Sequence, residues 1–492
     1  MLAFFSNMLS QLAYNPDEPI LFNTGFFLYF LLAFMGAYLL LHKKTKLRTI
    51  VFTLFSLYFF YKACGYYVLL VLIAASVDFS LSNLIYKSVN GFYRKALLTF
   101  SIVINIGLLF YFKYTDFFIG ISNDLGFTQI SPLGLLLPIG ISFYTFENIS
   151  YTIDVYKGDF KPVRSFWDYL FFLSFFPKLV MGPIVRAADF IPQIHKPYLV
   201  TNTALAKGAY LIAAGLIKKV IISDYIYTNF VQQVFDAPMR YSGLECLLAV
   251  YGYALVIYCD FSGYSDMAIG MGKWLGFDIN INFLSPYQSA NVTEFWRRWH
   301  MSLSSWLRDY LYIPLGGNRK GKARQYVNLF LTMLIGGLWH GANFTFVVWG
   351  ALHGAALAID KLRLTYWNNA FKFIPKRIQH WVGVFITFHF VCFCWIFFKA
   401  DSFNTAFEMI HQITDNFNMH LLANVVQLYK PVIVMMLFGF TIHAISDNWV
   451  NTLVNRFSNL PTWVYVAVFT LLILVLIQFK TATPVLPIYL QF

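Results

Sequence analysis

Two histidines lie in runs whose neighbours could do chemistry. His340 sits in Gly336-Gly337-Leu338-Trp339-His340-Gly341-Ala342-Asn343, inside an apolar stretch. An ionisable side chain at membrane depth is costly unless it has a partner or a task. A desolvated imidazole stays neutral and can act as a base, which suits removal of a hydroxyl proton during acyl transfer. Gly337 and Gly341 beside it would let backbone or substrate come close. The alternative is a structural histidine bonded to a backbone carbonyl.

His300 closes the run Phe295-Trp296-Arg297-Arg298-Trp299-His300. Arg297 and Arg298 could receive an anionic, phosphate-rich donor, with Trp296 and Trp299 completing the donor-binding set. The bland alternative is an interfacial imidazole packed beside those indoles, its polar edge in water. His300, His340 and His353 could in principle gather around zinc. No HExxH run or paired carboxylates support this, so no metal is expected. His389 and His443 are isolated on apolar spans and read as structural. The run Asp260-Phe261-Ser262-Gly263-Tyr264-Ser265-Asp266 places two acids beside an apolar span. They either line a pathway, orient basic groups or mark a helix end.

These side chains need elements to hold them, and composition says which kind. The chain has 492 residues, 59% hydrophobic and 12% charged. A soluble domain carries roughly 25% charged residues. Apolar runs of near-spanning length recur at about 21–41, 49–62, 66–86, 96–119, 132–154, 166–185, 204–222, 242–260, 326–360, 381–398, 431–446 and 462–479. The expectation is an all-α polytopic membrane protein with roughly eleven or twelve membrane helices. Alternation in segments of about ten residues, the mark of a β-barrel, is not seen. The whole of 1–492 reads as a single membrane-embedded domain. The five cysteines show neither zinc spacing nor a disulfide framework, and read as packing residues.

The net charge of +13 fits basic cytoplasmic loops beside anionic lipid rather than nucleic-acid binding. Basic segments at 42–48, 87–95 and 157–164 are expected on the cytoplasmic side, and 115–131 with the N-terminus outside. No basic n-region precedes the first strong apolar span, so that span is expected to act as an uncleaved start signal.

Three stretches depart from ordinary spans. Phe175-Phe176-Pro177-Lys178-Leu179-Val180-Met181-Gly182-Pro183 predicts a re-entrant element, its irregular backbone covered by protein or a watery cavity. The segment 291–325 is too basic to span, and its tryptophans suit an interfacial position on the cytoplasmic face. The stretch 326–360 is too long for one upright helix. Glycines 336, 337 and 341 are expected to break it into two helices, with His340 near mid-membrane.

The Asp260–Asp266 run, Phe295–Leu303, Asp309-Tyr310-Leu311-Tyr312-Ile313-Pro314-Leu315-Gly316-Gly317-Asn318 and Gly337-Leu338-Trp339-His340-Gly341 together resemble the membrane-bound O-acyltransferase (MBOAT) family. The similarity is to the bacterial branch that holds membrane subunits of alginate and peptidoglycan O-acetylation. It is densest over about 140–360, with further spans and a tail over 380–492. The resemblance implies a helical ring around a central tunnel open to both sides. It also implies that His340 is the catalytic histidine and His300 the second family histidine, at the tunnel's cytoplasmic end. A cytoplasmic thioester, acetyl-CoA for this branch, would be the donor, with no tightly bound cofactor. An extracytoplasmic partner protein and an envelope polymer would complete the path, at the bacterial inner membrane.

The segment Pro487-Ile488-Tyr489-Leu490-Gln491-Phe492 resembles a Phe-x-Tyr-x-x-Phe tail whose tyrosine carries the acyl group, with Pro487 replacing the first Phe. Tyr489 is thus a candidate acyl relay. The alternative is a tail anchored by interfacial aromatics. Two other functions compete. A transporter or flippase would also have many spans, though no inverted repeat pairs the two halves. A lipid or protein O-acyltransferase of the same family is the third reading.

Overall fold

The computed structural model describes residues 11–16, 19–366, 373–479 and 485–488, and among them every regular element is helical. Among the described residues, four stretches are long and apolar enough to cross a bilayer: Thr45–Lys87, Gly91–Asp124, Gly243–Trp274 and Lys376–Lys399. Met419–Leu428 and Lys430–Ala444, bent by 94°, would form a fifth. Several of the other expected passes correspond to shorter pieces, such as the 17-residue helix Gly25–Leu41. The reason is local. Over 132–154 the helix begins only at Ile141, because Pro132, Pro138 and a left-handed Gly140 (φ 73°) hold the preceding backbone out of a helix. The span expected at 242–260 instead continues to Trp274, so Asp260 and Asp266 lie within a helix and not at its end.

The chain packs as two compact units. The first comprises residues 1–212 and 267–280. Its core is aromatic: Phe176 meets Phe34 at 4.9 Å and Phe30 at 5.5 Å, both edge-on. The expected re-entrant stretch, 175–183, follows helix Phe166–Ser174 and holds one short helix, Phe176–Leu179, and then non-helical residues. Residues 175–185 are all buried, so protein covers the irregular backbone. Lys178 pairs with Glu147, which also accepts the Val185 amide at 3.1 Å. That ion pair ties the stretch to helix Ile141–Lys157.

The second unit comprises residues 213–266 and 281–492. Its centre is a helical hairpin, Lys322–His340 and Phe344–Tyr366. The long apolar stretch does break, but at Gly341–Asn343; Gly336 and Gly337 stay helical. Gly337 serves the packing of the two arms. A Cβ there would lie 2.3 Å from the Phe346 carbonyl oxygen, and one on Gly350 would lie 2.5 Å from that of Met333. Only hydrogen at both sites lets the two backbones close.

Candidate active site

His300 is fixed by backbone geometry first. It adopts a left-handed conformation (φ 42°) between helices Val292–Arg298 and Met301–Leu307. Segment 282–284 runs beside it, with Leu284 N donating to Arg298 O and Met301 N to Asn282 O, each at 3.0 Å. The Asn282 side chain completes the clamp. Its Oδ1 accepts from Ser302 N at 3.1 Å and Ser302 Oγ at 2.9 Å, and lies 3.2 Å from His300 Nδ1. An oxygen that already accepts a backbone amide is an acceptor here, so Nδ1 of neutral His300 carries the proton. Burial pushes the His300 imidazole down to about 3, which keeps it neutral.

His340 ends helix Lys322–His340 and is 3% exposed. Its ring lies 5.0 Å from Trp339, 5.0 Å from Trp349 and 5.3 Å from Phe398, all edge to face. Trp339 also lies 6.3 Å from His300. The two motif histidines therefore meet one indole. Trp349 continues to His353 at 4.8 Å. His353 Nδ1 accepts from Trp296 Nε1 at 3.3 Å. Indoles thus lie along the contact path between successive imidazoles. Among the described residues no three His, Cys, Asp or Glu side chains gather as a metal site.

The tryptophans of the 291–325 segment do not lie on the surface of the fold. Trp296 and Trp299 are buried within the second unit's core, Trp299 stacking on Phe295 at 5.6 Å. Enough aromatic partners surround them to remove both rings from any surface. Arg297 is exposed, and Arg298 pairs with Glu294 at 2.6 Å. Tyr489 lies outside the described residues.

The acids of the 260–266 run orient basic groups. Asp260 pairs with Lys219 and Asp266 with Lys218, each at 2.6 Å. Both lysines belong to the π-helical turn Ile217–Asp224. Sequence reasoning missed these partners and Asn282. Two adjacent lysines inside an apolar run were a readable signal for the former; Asn282 had none. His389 bonds Tyr251 at 2.9 Å, and His443 accepts the Tyr287 amide at 3.2 Å. Both behave as structural residues.

A family model for the membrane-bound O-acyltransferases matches residues 16–400. The peptidoglycan O-acetyltransferase of Helicobacter pylori is 32% identical, over 88% of this chain and 92% of its own length. The probable alginate O-acetylase AlgI of Pseudomonas aeruginosa is 44% identical, over 63% of this chain and 59% of its own. A teichoic acid D-alanyltransferase of Bacillus subtilis is 31% identical, over 56% of this chain and 71% of its own. By the family match over most of its length and by its 32% identity to a relative covered almost end to end, the chain belongs to the membrane-bound O-acyltransferase family.

Proposed function

We propose that this acyltransferase moves an acetyl group from cytoplasmic acetyl-CoA across the bacterial inner membrane, for O-acetylation of an envelope polysaccharide or peptidoglycan through an extracytoplasmic partner protein. One observation carries the reading: His300 and His340, forty residues apart in sequence, lie against the same indole, Trp339. Chemistry at that cluster follows from its parts. His340 takes the proton of an incoming hydroxyl, whose oxygen attacks the thioester carbonyl. The C–S bond breaks, the C–O bond forms, and the thiolate of CoA leaves and takes up a proton. His340 is the last residue of its helix, where the carbonyl end favours the positive charge the imidazole gains. His300, kept neutral by burial and oriented by Asn282, serves the donor end, and Arg297 with Arg298 receives the phosphates of CoA.

Tyr489 is the proposed carrier between the two sides. The acetyl ester forms on its oxygen, then passes to the partner's hydroxyl, which splits one long transfer into two short ones. The experiment is incubation of purified protein with acetyl-CoA labelled in the acetyl group. Wild type should release CoA and label Tyr489, and His340→Ala should do neither while still folding and inserting. CoA release by His340→Ala at the wild-type rate would refute the base. Turnover without label on Tyr489, and acceptor acetylation unchanged by Tyr489→Phe, would refute the relay.

A further inference from the structure

Residues 485–488 form a strap seated on a buried charge cluster in the second unit. Lys219 Nζ lies 2.6 Å from Asp260 Oδ1 and 2.8 Å from Asp224 Oδ1, with the lysine side chain fully buried. Two carboxylates around one ammonium are short of donors, and a buried carboxylate oxygen without one is costly. The strap supplies a donor and takes one in return. Ile488 N donates to Asp260 Oδ2 at 2.9 Å, and Lys219 Nζ donates to Val485 O at 3.3 Å. Ile488 is 4% exposed and joins the apolar core that includes Tyr258 and Cys259.

These two polar contacts are made to the strap's backbone. A carboxylate and an ammonium matched to the amide and carbonyl of residues three apart are complementary to a peptide segment. We propose that the Lys219–Asp224–Asp260 cluster is a peptide-receiving site whose ligand is the chain's own Val485–Ile488 strap. The site adjoins the chemistry. Asp260 precedes Phe261, whose ring meets His300 edge-on at 4.5 Å. Ile488 precedes Tyr489. The anchor therefore holds the carrier's chain neighbour on Asp260, one position along the helix from the Phe261 ring that meets His300. The role given to Tyr489 rests on the relay proposed above; the anchor itself does not.

Hydrogen exchange on the full-length chain, resolved at the amide of Ile488, tests the site. In wild type that amide should exchange at least about 100-fold slower than in the free peptide of residues 485–492. Asp260→Asn should cut the protection at least about 10-fold, since the charge-assisted bond is lost. The triple variant Lys219→Met, Asp224→Asn, Asp260→Leu keeps the volume without the charges and should abolish it, with amides of residues 243–258 still protected as the folding control. Free-peptide exchange in wild type, or protection that survives both variants, would overturn the proposal. Tyr489→Phe should leave the protection unchanged while blocking transfer. Intact protection with normal transfer in that variant would remove the relay and leave the anchor standing.

Discussion

Trp349 meets His340 edge to face, ring centroids 5.0 Å apart and planes at 84°. The same indole lies 4.8 Å from His353, whose Nδ1 takes the N–H of Trp296. A fully buried ring thus ties the proposed base to the segment that carries Arg297 and Arg298. Trp349→Phe should lower kcat at least about tenfold with the donor KM little changed, because the wall behind His340 shrinks while the donor segment stays. Trp349→Ala should also destabilise the fold by roughly 3–5 kcal/mol. Steady-state kinetics on the folded Trp349→Phe protein decides; a wild-type kcat would show that the ring does not orient His340.

The two arginines should contribute unequally to donor binding. Arg298 is already held by Glu294, whereas Arg297 is exposed. Arg297→Ala should therefore raise the Kd for CoA more than Arg298→Ala, and the loss should shrink at high salt, where exposed charges are screened. Titration of CoA at two ionic strengths measures both. Equal affinities for wild type and the double variant would move the phosphate dock elsewhere.

Lys178 and Glu147 are almost wholly enclosed, so breaking the pair is worse than deleting it. Lys178→Met leaves a buried carboxylate and should cost on the order of 3–5 kcal/mol. Adding Glu147→Gln should restore much of that loss. Thermal unfolding of the single and double variants distinguishes this from simple packing damage, in which the two losses would add.

His300 gives a pH signature. Its folded value is about 3, below the free imidazole's roughly 6.5. Between those values the unfolded chain binds more protons, so this residue's share of stability is complete above about pH 6.5 and is lost as pH falls toward about 3. His300→Gln has no such proton to take up. The stability gap between wild type and this variant should narrow as pH falls from 7 to 4. A constant gap in thermal unfolding would mean that His300 takes up its proton as readily in the fold as in the unfolded chain, and would overturn this assignment.

Local pattern carried the helical class, the two histidine motifs and the division of 326–360, since each is written in a short stretch of chain. The break fell at Gly341 and left Gly336 and Gly337 helical because their lack of a side chain serves contact with a neighbouring helix, which periodicity cannot express. The burial of Trp296 and Trp299 was not legible, because aromatic partners distant in sequence cover them. Asn282 was invisible for the same reason: its value comes from lying beside His300, eighteen positions along the chain. Asp260 and Asp266 were noticed, but their lysines more than forty positions upstream decided what they do.

The close hairpin has a consequence for any mutational survey. Substitutions at Gly337 or Gly350 would abolish activity as completely as loss of His340, by prising the arms apart. A screen scored on product alone would draw the reaction centre one helix face too wide. Scoring abundance beside product would separate spacers from reactants, because only the true reactant is lost without a matching fall in folded protein.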